Sequence, residues 1–187
     1  MIKSLLALLA LILSVSGSAW GAQWTVDKAQ SRIVFIATFE GAEFEGRFTR
    51  YDADLRFDEQ TPIDSRFEVR IDLLGTDTGS SELNEGMQLS DWFDSGRFPQ
   101  ATFISSEIRA TGKGRFLAIG ALSIKGITRE VRLPFAWNRE GTQAVIDGET
   151  TLKRTDFLIG AGDWSSGDIV GLPVKLTAHL VLSRVEP

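Results

Sequence analysis

The sequence predicts an all-β fold, an antiparallel barrel or sandwich of eight strands or slightly more. Apolar and polar residues alternate along most of the chain from Trp24 onward, which sets one face of each segment in a core and the other in water. Turn-forming clusters cut this alternation at short intervals: Gln60-Thr61-Pro62, Thr111-Gly112-Lys113-Gly114, Arg139-Glu140-Gly141 and Ser165-Ser166-Gly167. No linker is long enough to divide the 187 residues, so one domain over residues 22–187 is expected.

The first element is an address. Lys3 precedes an apolar run from Leu5 to Leu13, closing at Val15, and then the small, polar stretch Ser16-Gly17-Ser18-Ala19. A positive charge, an apolar run and a small-residue tail make a secretory signal peptide over 1–21, cleaved near Ala19–Ala22. The run is roughly half of the ~20 residues that a bilayer span takes. The chain has no cysteine, so no lipid anchor is attached at the cut and no disulfide staples the fold. A free thiol is a liability in an oxidising space, and at this length a core alone suffices.

Strands are expected next at Arg32–Glu40 and Glu45–Phe57. Within the second, Phe44, Gly46 and Phe48 share one parity and Ala53, Leu55 and Phe57 the other, which predicts a bulge near Arg50–Asp52. Phe67, Val69, Ile71 and Leu73 alternate with Arg66, Glu68, Arg70 and Asp72, a half-buried strand. Between Gly79 and Pro99 the period is lost. There Ser81 can cap a short helix through Met87 or Gln88, and Ser90 a second turn through Asp94. Leu83, Met87, Trp92 and Phe93 give this helical segment, around 81–94, an apolar side that lies on the sheet or covers an opening as a lid.

Ala101–Arg109 and Arg115–Ile124 continue the strands. Val131, Leu133, Phe135 and Trp137 then alternate with Arg132, Pro134 and Ala136, and Pro134, lacking a donor, marks an edge, a bulge or a strand margin. Gln143–Lys153 follows. In the last strand Val174, Leu176, Ala178, Leu180 and Leu182 oppose Lys175, Thr177, His179 and Ser183.

Composition removes most chemistries. Lys and Arg number 20 against 25 Asp and Glu, a balance of −5 that leaves no electrostatic footprint for nucleic acid. Without cysteine there is no thiolate metal site and no thiol nucleophile, and one histidine is too few for an imidazole metal site. No Gly-x-Ser-x-Gly elbow accompanies His179, no glycine-rich phosphate loop is present, and Asp72, Asp77 and Glu82 lack calcium-loop spacing. Arg154 and Asp156 in KRTDF read either as a corner lock or surface ion pair, or as a polar contact at the mouth of a cavity. Twelve Phe, with Trp24, Trp92, Trp137 and Trp164, supply apolar bulk. An eight-stranded barrel is either filled by such side chains or left with room for one slender ligand, and composition by itself favours filling.

Five ordered motifs carry a resemblance. They are WTVDKAQSRIVF from Trp24, with Asp27 and Ser31; EGRF at Glu45 to Phe48; SDWFD running to FPQATF; GALSIKGITREVRLPF from Gly120; and LKRTDFLIG from Leu152. Over nearly its whole mature length the chain resembles the YceI-like, polyisoprenoid-binding family. Ser123 stands in a threonine place of the signature, and Leu158 stands where the family has glycine after Asp-Phe. The resemblance implies a lipocalin-like antiparallel β-barrel enclosing a long amphiphilic lipid, a polyisoprenoid or isoprenoid quinone. It also implies a bacterial periplasmic location, no catalysis and no covalent cofactor. Transient contact with a membrane or a membrane redox protein, and a homodimer, are left open.

On this reading Val69, Ile71, Val131, Leu133, Phe135, Leu176 and Leu180 form an apolar lining, with Phe103 and Phe116 contributing. Arg154 and Asp156 are the candidate polar contacts at the head or mouth. Three rivals differ in what they place inside: an outer-membrane barrel with a polar lumen, a lipid-modifying enzyme, and a structural domain with a packed interior.

Overall fold

The computed structural model describes residues 21–186, and the expected leader, apart from Gly21, lies outside them. The strands are β1 (Gln23–Val26), β2 (Arg32–Phe39), β3 (Ala42–Phe48), β4 (Tyr51–Arg56), β5 (Arg66–Asp72), β6 (Thr76–Asp77), β7 (Gln100–Gly112), β8 (Arg115–Ile124), β9 (Ile127–Glu140), β10 (Gln143–Lys153) and β11 (Pro173–Arg184), with one helix, α1 (Ser81–Met87). Three pairs of segments are single strands that bend: β1 with β2, β3 with β4, and β5 with β6. Counted this way, eight antiparallel strands each bond to the next in sequence, and β11 returns to β1 and β2 to close the barrel.

Each bend has a local cause. Between β1 and β2 the Asp27 carboxylate accepts the Ala29 and Gln30 amides at 2.9 and 3.3 Å, an Asx turn, and its other oxygen accepts the Gln30 side chain at 2.6 Å. The Gln30 side chain, followed by the Ala29 amide, holds this carboxyl below its ordinary pKa. Ser31 Oγ accepts the Val181 amide at 2.9 Å, so the bent strand stays tied to β11. Between β3 and β4 the chain breaks at Thr49–Arg50, where the Thr49 hydroxyl donates to the Gly75 carbonyl at 2.8 Å. The phase slip is therefore a break in the strand, one step earlier than the bulge expected at Arg50–Asp52, and Tyr51, Ala53 and Leu55 resume the inward face.

The register of β7 against β8 shifts twice, between Ala110 and Gly112 near the hairpin and, deeper in the strand, between Ser105 and Glu107. Ser105 Oγ accepts the Phe67 amide there at 2.8 Å, and a Cβ on the facing Gly120 would stand 2.4 Å from the Ile104 carbonyl oxygen. Only glycine fits that approach. Two-residue turns at Glu40–Gly41 and Lys125–Gly126 have positive φ at both positions, the hairpin geometry that matches strand twist. Ser80, one residue before the expected Ser81, caps α1 by accepting the Leu83 amide at 3.4 Å. The turn expected from Ser90 to Asp94 forms, with the Trp92 and Asp94 amides donating to the Leu89 carbonyl, both at 3.0 Å.

Pro134 lies inside the closed sheet, not at an edge. It pairs with Leu117 of β8, and the β9–β10 ladder ends one residue away, at Phe135–Gly148, so no bond is lost toward β10. Beyond it Thr150 donates its hydroxyl to the Arg132 carbonyl at 2.9 Å.

The faces separate cleanly. Outside, β10 and β11 are bridged by Lys175–Glu149 at 2.8 Å and His179–Asp147 at 2.6 Å, and Arg66, Glu68 and Arg70 pair along β5. A charged exterior over an apolar interior is the inverse of an outer-membrane barrel. Inside, one end is sealed by an aromatic floor. Trp24 meets Trp137 edge-on at 5.0 Å, Phe57 meets Phe116 edge-on at 4.9 Å, and Phe135 lies 5.4 Å from Phe67. The Trp24 indole donates to the Phe57 carbonyl at 3.0 Å. Phe57 sits at the centre of this cluster, 1% exposed. Replacing it with alanine is expected to cost about 3–5 kcal/mol in a denaturant titration; a loss under ~1 kcal/mol would mean that the floor is not close-packed.

Candidate ligand cavity

Beyond the floor the interior is not filled. A cavity of about 120 Å³ begins against Phe67 and Phe135 and runs between Ile33, Leu122, Ile146 and Ala178. A second, of about 80 Å³, continues from it across Leu176. It is bounded by Phe35, Phe44, Phe48, Ile124, Leu152 and Val174, and roofed by Met87, Trp92 and Phe93. The third, of about 490 Å³, shares Phe44, Met87, Trp92 and Val170 with the second and opens to solvent between α1, the β2–β3 turn and Trp164. The three lie in series from the floor to one mouth. The two inner ones are lined almost wholly by carbon, so an apolar guest there desolvates almost no polar group of the wall.

Eight of the nine residues expected to form the lining stand on the first cavity: Val69, Ile71, Phe103, Val131, Leu133, Phe135, Leu176 and Leu180. Phe116 does not. It is stacked on Phe135 with centroids 5.5 Å apart and belongs to the floor. The expected lid residues all reach the two outer cavities, with Leu83 and Trp92 at the mouth and Phe93 packed 6.4 Å from Phe48. Sequence reasoning missed Phe35, Phe44 and Phe48, although the shared parity of Phe44 and Phe48 was a signal, and it missed Val170 and Trp164, which gave none.

Arg154 proves to be a lock. It is 2% exposed, and each of its five N–H bonds meets a main-chain carbonyl. Nε donates to Gly171, Nη1 to Ile159 and Gly160, all at 2.9 Å, and Nη2 to Val170 at 2.6 Å and to Trp164. Burial draws its pKa below the ordinary guanidinium value, and the converging carbonyl dipoles offset the lost hydration. No donor is left for a ligand head, so the expectation of a head contact is corrected. Asp156 is exposed on the 3₁₀ turn Arg154–Phe157 and makes no ion pair with Arg154. The corner-lock alternative is the one that the geometry realises.

The lock shapes the mouth. By gathering carbonyls from residues 159–171 it folds that connection over the barrel end, where Trp164 lies 5.8 Å from Trp92. Lys125, in the β8–β9 turn, donates to the Ser90 carbonyl at 2.5 Å and to the Leu158 carbonyl at 3.0 Å. Ser123 and Thr128 share a hydroxyl–hydroxyl bond of 2.6 Å across the same hairpin. Leu158 is left-handed, with φ 52° and ψ 29°, and 57% exposed. It neither narrows the cavity nor fills a corner.

Arg154→Lys replaces a five-donor fork with a point charge. A loss of about 3–5 kcal/mol is expected, with new protease cleavage within residues 155–171; wild-type resistance would refute the lock. Leu158→Gly removes a left-handed side chain at the cost of backbone entropy, for a net gain of up to ~1 kcal/mol in the same titration.

The fold and motifs have relatives. The YceI-like domain family matches residues 24–182. A UPF0312 protein of Vibrio campbellii is 29% identical over 167 residues, covering 84% of this chain and 88% of that protein. A UPF0312 protein of Yersinia enterocolitica is 26% identical over 167 residues, covering 84% and 86%. Among solved structures, Burkholderia cenocepacia BcnA superimposes with a TM-score of 0.82 at 32% identity, covering 84% of this chain and 99% of that one. A polyisoprenoid-binding domain from Saccharophagus degradans, implicated in plant cell wall breakdown, gives 0.70 at 15% identity, covering 88% and 99%, a likeness of fold. With its closed eight-stranded barrel and its signature hairpin at the mouth, the chain belongs to the YceI-like family.

Proposed function

We propose that this protein is a non-catalytic carrier that holds a long apolar lipid, a polyisoprenoid or isoprenoid quinone, along the barrel axis. The observation that carries this is the series of cavities: carbon-lined inside, polar only at the open end. That is the distribution an amphiphile needs, with its tail toward the floor and its head at the mouth. The fold likeness to a polyisoprenoid-binding domain supports the same ligand class. A fully packed interior is disfavoured by the same cavities. Catalysis on the lipid is disfavoured because the sole histidine lies on the outer face beside Asp147.

The energetics suit a carrier. Burial of a chain releases ~25 cal/mol per Å² of apolar surface. At about 0.3 kcal/mol per atom, a ligand of ~30 heavy atoms gains roughly 9 kcal/mol, a sub-micromolar affinity. The N-terminal apolar run supports export to the periplasm, where such a lipid needs a soluble container. Exposed Phe39, Leu83, Leu89, Leu158 and Ile169 belong to the elements around the mouth. Apolar side chains so placed support transient contact with the membrane that supplies the lipid.

Native mass spectrometry of the exported protein, followed by organic extraction, tests the proposal. A bound mass that extracts as an isoprenoid lipid is expected, and it should be absent from Ala178→Trp, which fills the inner cavity, and from Leu133→Glu. A wild-type protein free of lipid, or a folded Ala178→Trp that keeps its lipid, would refute it.

A further inference from the structure

The carrier reading leaves the head of the lipid undefined, and the outer cavity bears on it. That vestibule is lined by Phe39, Phe44, Leu83, Met87, Trp92 and Trp164 and by two charged side chains, both acidic: Glu43 from β3 and Glu82 from α1. No lysine, arginine or histidine lines it. The neighbouring segments add Glu40, Glu85, Asp163 and Asp168, and among the described residues none of these six carboxylates has a basic side chain at salt-bridge distance. The two cations held nearby are committed. Arg154 gives every N–H to the main chain, and Lys125 is bound to the Ser90 and Leu158 carbonyls.

Resting on the carrier reading, we infer that the vestibule selects lipids whose head carries no negative charge, and that Glu43 and Glu82 are the residues that enforce it. A tail drawn to the floor leaves its head among the carboxylates. A hydroxyl head donates a hydrogen bond to either of them. A phosphate there meets like charge across a partly apolar wall and finds no cation to replace its hydration. The inner cavities give no such discrimination, because an isoprenoid tail is the same beneath either head.

The inference separates the free polyprenyl alcohol from its phosphate ester. Binding of geranylgeraniol and of geranylgeranyl monophosphate to the mature wild-type protein is measured by native mass spectrometry and by equilibrium dialysis. The alcohol is expected to bind about tenfold or more tightly than the phosphate at low ionic strength, with the gap narrowing as salt screens it. In Glu43→Gln/Glu82→Gln the phosphate should gain severalfold while the alcohol is unchanged; both positions are exposed, so the fold is spared. Equal or tighter binding of the phosphate to wild type overturns the inference and leaves the carrier reading intact, as does a gap that the double variant does not alter. Failure of both probes to bind overturns the carrier reading and this inference with it.

Discussion

An eight-stranded barrel closed on itself has an interior of set width, and what occupies that width governs everything else in this molecule. Closure is the work of β11, which bonds to β2 through Lys175–His179 and to β1 through Leu182–Arg184. The first strand can serve both halves of that ladder because it bends at the Asp27 turn. With no free edge along the ring, the apolar faces can turn only inward. One aromatic cluster then seals one end, and smaller wall residues such as Ala178 and Ala37 leave the interior beyond it unfilled.

The open end is held by polar bonds as well as by packing. Arg154 and Lys125 together draw in the β10–β11 connection, the β8–β9 turn and the segment that follows α1. Three separated motifs meet there: SDWFD, GALSIKGIT and LKRTDFLIG. They belong together because one buried guanidinium and one lysine bond their carbonyls.

Most of the first cavity's lining is legible in the alternation of the strands. In a strand the side chains alternate, so once Val69 is inward Ile71 must be as well, and the same holds for Val131, Leu133 and Phe135. Phe116 shows the limit of the rule. Parity gives the face of a strand but not the height along the axis, and Phe116 lies at the level of the floor. Arg154 shows another limit. Its carbonyl partners span residues 159–171 with no side-chain pattern to announce them, since any residue type offers a carbonyl.

The sequence by itself determined the all-β class, the strand phases including the slip in the second long strand, the helical interruption and the kinship of its motifs. These are local matters of periodicity, turn chemistry and composition. Only the tertiary structure decided that the interior is plugged at one end and hollow at the other, that Arg154 is a lock, and that two carboxylates stand at the entrance. Those follow from which residues share a height in the barrel, a property of register and closure that no stretch of chain contains.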